Sequence, residues 1–248
     1  MVFRVASRGE TAKCHLPVAI VIDNSASTKD IRELMNICSR KLIQSLKGSV
    51  LLADLVELLV IVYNSDAQIL VDFKPLQQIG EDELDIKVSD GFTATGHALK
   101  IALAKLDQKK VEWKIKGEDY KQPLLFLITD GVPDAGKGAP KEAVEAVERT
   151  YAEAAREIRL REAEKKLVFI AAGIQRKQGE RADMERLREL SSHPERLLRI
   201  NETMNGISGV ERFFSLIYDA TNVVACKNTS VDNVVSDFFH RGFEFPVR

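Results

Sequence analysis

"LPVAIVIDNSAST", residues 16–28, passes from an unbroken apolar run into an acid and alternating hydroxyls within a few positions. Pro17 to Ile22 is small or β-branched and apolar, which predicts a strand. Asp23, Ser25 and Ser27 follow at alternate positions. One reading is a helix start, with Ser25, Ser27 or Thr28 accepting the first free N–H groups. The other is a set of oxygens converging on a metal ion. Alternate positions in an extended turn face one side, so Ser25 and Ser27 would point together beneath Asp23.

Three more apolar runs share the character of the first: 55–65, 123–131 and 166–174. Their hydrophobicity is continuous rather than alternating, as in parallel strands covered on both faces. "AQILVDF" (67–73) alternates in part and predicts an edge strand in a hairpin, and "ERLLRIN" (195–201) is a weaker terminal strand. Helical spacing of apolar residues covers 29–46, 95–107, 140–165, 180–190 and 207–219. Strands alternating with helices predict one Rossmann-like α/β domain. Its sheet is mainly parallel with one antiparallel edge strand, and helices lie on both faces. The charged stretch 108–122, which holds the only Trp, reads as a connector. Residues 1–14 read as an N-terminal extension, 15–222 as the domain and 223–248 as an apolar, aromatic C-terminal tail able to dock on a surface.

Composition narrows the function. Lys and Arg number 36 against 37 acids, so no net charge draws the chain to nucleic acid or anionic lipid. No apolar run reaches the ~18 residues of a membrane span. The first residues lack the apolar core of a signal peptide. Cys14, Cys38 and Cys226 are far apart and form no CxxC pair, which suits a reduced, cytoplasmic protein.

In open α/β sheets, ligands sit beyond the carboxyl ends of the strands. Those ends here collect Asp23, Ser25 and Ser27 after the first strand, and Asp130 in "ITDGVPD" after a later one. Thr93 and Thr95 lie between them in "SDGFTATGHAL". Carboxylates and hydroxyls without thiols are hard ligands, suited to Mg2+, Mn2+ or Ca2+ rather than structural zinc. With only two carboxylates, such a site would keep electrophilicity for one more anionic oxygen from outside.

D-x-S-x-S after the first strand, a loop Thr and then T-D-G after a later strand resemble the von Willebrand factor A (VWA) domain. The pattern is that family's metal-ion-dependent adhesion site (MIDAS). "LITDGVPD" and "GVERFFSLIYDATN" further resemble the bacterial cytoplasmic VWA proteins of tellurium-resistance and stress gene clusters. The resemblance implies a divalent cation, Mg2+ first, held by Ser25, Ser27 and Thr93, with Asp23 and Asp130 contributing directly or through water. A partner's Asp or Glu would fill the last position. The chain departs from the family at Ala26, where Gly is usual between the serines, and at Phe92, where Gly precedes the threonine.

Each motif has a plainer explanation: a helix cap for the serines or for Thr93 or Thr95, and a turn for Asp130-Gly131. Their common sheet edge and family order favour the metal. His97 reads as a packed or solvated residue, Cys38 as core, and 140–165 as a sheet-covering helix with a solvated charged face. Two function classes follow. The first is a non-enzymatic binding or scaffold module that takes an acidic residue of a protein partner. The second is a Mg2+-dependent phosphohydrolase of the haloacid dehalogenase type, which also begins with an Asp at a strand exit. That chemistry needs a second acid at the position held by Ser25, so the binding module is the expectation.

Overall fold

The computed structural model describes residues 13–87, 91–130, 133–175, 184–201, 208–226 and 230–240. Its sheet has seven strands: β1 (Cys14–Asp23), β2 (Val56–Tyr63), β3 (Ala67–Pro75), β4 (Asp119–Tyr120), β5 (Leu124–Thr129), β6 (Val168–Gln175) and β7 (Leu197–Asn201). The order is β3-β2-β1-β5-β6-β7, with β4 beside the start of β1. All pairings are parallel except β2 with β3. This is the expected Rossmann-like sheet with one antiparallel edge strand.

β1 is buried along almost its whole length, and its pleat divides the core in two. Val18, Ile20 and Ile22 face one apolar cluster with α1 (Arg32–Gly48), α6 (Gly209–Cys226) and α7 (Val231–His240). Ala19 and Val21 face the other, with α3 (Thr95–Lys116), α4 (Lys141–Ala163) and α5 (Met184–Leu190). A short helix, α2 (Val50–Leu55), leads into β2. Helices therefore cover both faces, as the continuous apolar runs require.

Two predictions need correction. The stretch 108–122 is not a connector: α3 continues to Lys116. The apolar stripe of Leu99, Ala102, Leu103 and Leu106 is resumed seven residues on by Trp113, which is fully buried. The helix stops where Gly117 takes φ 72° and the N–H of Glu118 returns to the carbonyl of Trp113 at 2.9 Å. Likewise the charged face of α4 is not wholly solvated. Glu162 is buried and accepts hydrogen bonds from the hydroxyls of Ser191 and Ser192 and the N–H of Ser192.

At the ends of the chain, β1 already begins at Cys14, paired with Asp119. Within the stretch read as a tail, α6 runs on to Cys226 and α7 packs Val231 and Val235 into the first core. Residues 1–12 and 241–248 lie outside the described residues.

Candidate metal centre

β1 lies between β2 and β5, in register Asp23 with Tyr63 and Ile22 with Ile128. The exits of three parallel strands therefore stand side by side. Asp23, Tyr63, Thr129 and Asp130 meet there although the chain separates them widely.

Asp23 is 1% exposed, so a carboxylate here must be held by hydrogen bonds. Its Oδ1 accepts the Ser25 N–H at 2.9 Å, and its Oδ2 accepts the Thr129 hydroxyl at 2.6 Å. The Tyr63 hydroxyl donates to the same oxygen at 3.4 Å and accepts from Thr95 at 3.2 Å. Burial pushes the Tyr63 phenol well above its usual range, so it stays a donor. In front of Asp23, the hydroxyls of Ser25 and Ser27 lie 2.9 Å apart, and Ser27 donates to Asp130 Oδ1 at 2.8 Å. Because Ser27 spends its proton on Asp130, Ser25 is the donor to Ser27. The result is a continuous chain of oxygens from Ser25 through Ser27 to Asp130.

These bonds bear on the helix-cap reading of "DNSAST". Ser25 precedes the 3-10 turn over Ala26–Ile31 with extended backbone, but its hydroxyl makes no capping bond. The bond goes sideways to Ser27 instead. Thr28 donates to the carbonyl of Ser25 at 2.9 Å. Ala26 fits without strain, since Lys165 is the one non-glycine residue with positive φ among the described residues.

Thr93 joins through its backbone. It exchanges hydrogen bonds of 3.1 Å each way with Asp134, and the Ala26 N–H donates to Gly91 at 3.4 Å. The threonine loop is thus sewn to the serine turn on one side and to the loop after β5 on the other. Thr93 is itself buried. Thr95 begins α3 and supports Tyr63 rather than the hydroxyl chain. Phe92 is 47% exposed at the rim. His97 stands apart, half exposed and 3.4 Å from Asp66. Ser89, Asp90, Gly131 and Val132 of the two motifs fall outside the described residues.

Sequence reasoning missed Thr129 and Tyr63, the residues that hold Asp23 from behind. The signal for Thr129 was in "ITDG", where the hydroxyl precedes the acid. Tyr63 could be reached only through the strand register.

The donor set that these bonds bring together is made of oxygen: the carboxylates of Asp23 and Asp130 and the hydroxyls of Ser25 and Ser27, with Thr93 tied to the corner through its backbone. Among the described residues no group of three or more His, Cys, Asp and Glu side chains is placed to hold a metal ion by itself. Desolvation by burial is the main force on Asp23 and, with the nearby charge of Asp130, raises its pKa from 3.8 to about 6. A corner with buried Asp23, half-buried Asp130 and neutral donors beside them fits a hard divalent cation.

Comparison with known proteins agrees with this architecture. No curated protein matches the sequence. Among solved structures, the chain is similar to the pilus adhesin SpaC of Lactobacillus rhamnosus GG in its open conformation. That match has 13% identity, 90% of this chain, 30% of that one and a TM-score of 0.58. It is similar as well to the PilB minor pilin of Streptococcus sanguinis, with 11% identity, 90% and 65% coverage and a TM-score of 0.55. A third similar structure is proximal thread matrix protein 1 of the mussel byssus, with a zinc-occupied MIDAS motif. It shows 15% identity, 88% and 48% coverage and a TM-score of 0.47. This chain spans between 30% and 65% of the length of those chains. At such identities the likeness to SpaC and PilB is one of fold. The family model of the von Willebrand factor type A domain matches residues 18–212, so the chain belongs to that family.

Proposed function

We propose that this domain is a non-enzymatic protein-interaction module that takes an Asp or Glu of a partner through a divalent cation. Asp23, Ser25, Ser27, Thr93 and Asp130 are the residues that would hold the ion. The observation that carries the reading is the hydroxyl chain Ser25–Ser27–Asp130, bonded sideways instead of capping the helix, with buried Asp23 behind it. When bound, the cation supplies positive charge to an incoming carboxylate. Thr129 and Tyr63 fix the carboxylate of Asp23, and the Thr93–Asp134 pair fixes the adjoining loop. Hard oxygen donors favour Mg2+, with Mn2+ or Ca2+ as alternatives.

A phosphohydrolase fits less well. Its nucleophile would be Asp23, which is closed in by hydrogen bonds on both oxygens. The position of its second acid is Ser25, whose hydroxyl is engaged with Ser27. The setting we assign is the bacterial cytoplasm, in a scaffold of the tellurite-resistance or stress-response kind. That assignment rests on the likeness of "LITDGVPD" and "GVERFFSLIYDATN" to such proteins.

Thermal unfolding in EDTA and in Mg2+, Mn2+ or Ca2+, for wild type and Asp23→Ala, tests the proposal. An ion at ~100 times its dissociation constant adds about 2.7 kcal/mol. In a domain of this size that raises Tm by several degrees. The expected result is a shift in wild type with at least one cation and none in Asp23→Ala. No shift with any cation overturns the metal reading.

A further inference from the structure

The departure from the family pattern at position 92 places a phenyl ring where a glycine is usual. Phe92 is the one aromatic residue among the exposed large apolar residues described, and it stands next to Thr93. Its ring lies against the backbone of Gly136, so closely that a Cβ there would come within 2.1 Å of its Cε1 and Cζ atoms. Gly136 has φ +96° and donates its N–H to Asp134 Oδ1 at 2.8 Å. The Phe92 N–H donates to Ser65 Oγ at 2.9 Å. On either side of Phe92, Gly91 is bonded to Ala26 and Thr93 to Asp134. Three neighbouring loops therefore pin an aromatic residue that stays about half in water.

Half-burial of this kind adds little to the fold, but it suits a contact surface. An aromatic side chain has few torsions to freeze, and the loops have frozen its backbone already. Charge alone cannot tell one acidic segment from another, since every Asp or Glu offers the same two oxygens. Discrimination requires a second contact beside the carboxylate. Anchors of that sort are characteristically aromatic and lie close to the centre of an interface.

We infer that Phe92 is a specificity-determining residue: the partner is a protein segment whose acidic residue is flanked by an aromatic or large apolar side chain. This rests on the cation-dependent reading of the site.

Two synthetic peptides serve as probes, N-acetyl-Phe-Asp-Phe-amide and N-acetyl-Gly-Asp-Gly-amide. Each is titrated by NMR into wild type, Phe92→Ala and Phe92→Tyr, in Mg2+ and in EDTA. The Mg2+-induced Tm shift of each protein is recorded alongside. On wild type in Mg2+ the aromatic peptide should bind about tenfold more tightly. Phe92→Tyr should keep that preference. Phe92→Ala should bring the two peptides within about twofold while keeping its Tm shift. An equal response to the two peptides, whether both bind or neither does, with the wild-type Tm shift intact, overturns the role of Phe92 alone. Absence of the Tm shift in wild type overturns the cation reading beneath it.

Discussion

β1 carries a polar cluster at each end, and the two are built on opposite plans. At its start, His15 lies between two carboxylates, with Nδ1 2.8 Å from Glu57 and Nε2 3.1 Å from Glu118. The ring stacks on Trp113 at 4.7 Å between centroids. Trp113 donates its Nε1–H to Glu57 at 3.3 Å, and the Lys109 ammonium lies 2.9 Å from the same carboxylate. Basic and acidic groups alternate, and an aromatic plate covers them. At the far end, Asp23 and Asp130 meet neutral donors: hydroxyls of Ser27, Thr129 and Tyr63 and the N–H of Ser25. One cluster sets an ammonium and an imidazole of the chain against its carboxylates. The other surrounds its acids with hydroxyls and a backbone N–H. Nitrogen groups of the fold tie down the first set, whereas the oxygen lining of the second is of the kind a hard cation takes.

The comparison can be broken at several points. The largest effect belongs to the start of β1. Trp113→Ala removes a fully buried ring that stacks on His15 and bonds Glu57, and it should cost about 3–5 kcal/mol in urea unfolding. The Mg2+ increment, measured on the same samples, should be unchanged. A variant that lost both would show that the two ends are one structural unit.

A somewhat smaller effect is expected from pH at the far end of β1. The pKa of Asp23 is raised in the native state to about 6, so the folded protein holds this proton where the unfolded chain, near 3.8, has released it. The contribution is therefore fully favourable below about pH 4 and is lost as pH rises through about 6. The loss in EDTA amounts to about 3 kcal/mol at neutral pH, taking 1.36 kcal/mol per unit. Asp23→Asn lacks this titration. Urea midpoints of the two proteins between pH 4 and 7.5 should diverge in the mutant's favour as pH rises, and parallel profiles would contradict the desolvation of Asp23.

The smallest effect on stability should come from Ser27→Ala. Ser27 is exposed, and losing its bond to Asp130 should cost about 1 kcal/mol in EDTA. The Mg2+ response should nevertheless disappear. A small loss of stability with a complete loss of response would separate a binding group from a structural one.

The sheet was legible because parallel strands buried on both faces leave continuous apolar runs, as in "PVAIVID" and "PLLFLITD". The site's front row was legible as well, since Asp23, Ser25 and Ser27 are local in sequence. What escaped was non-local or masked by charge. Tyr63 reaches Asp23 only through the register of β1 with β2, which no single stretch encodes. Between Leu106 and Trp113, α3 carries five Lys, Glu, Asp and Gln residues, and that run hid the apolar stripe. β4, only two residues long, has no periodicity to detect.

The bond between Ser27 and Asp130 joins residues 103 positions apart. Whatever binds across that pair clasps two ends of a long stretch of chain, and such loops become dearer to close only logarithmically with length. The strands between must already be laid down before the clasp can shut. Occupancy of this corner is therefore a reading of the sheet from β1 to β5: a chain in which those strands have not yet paired has no site to offer.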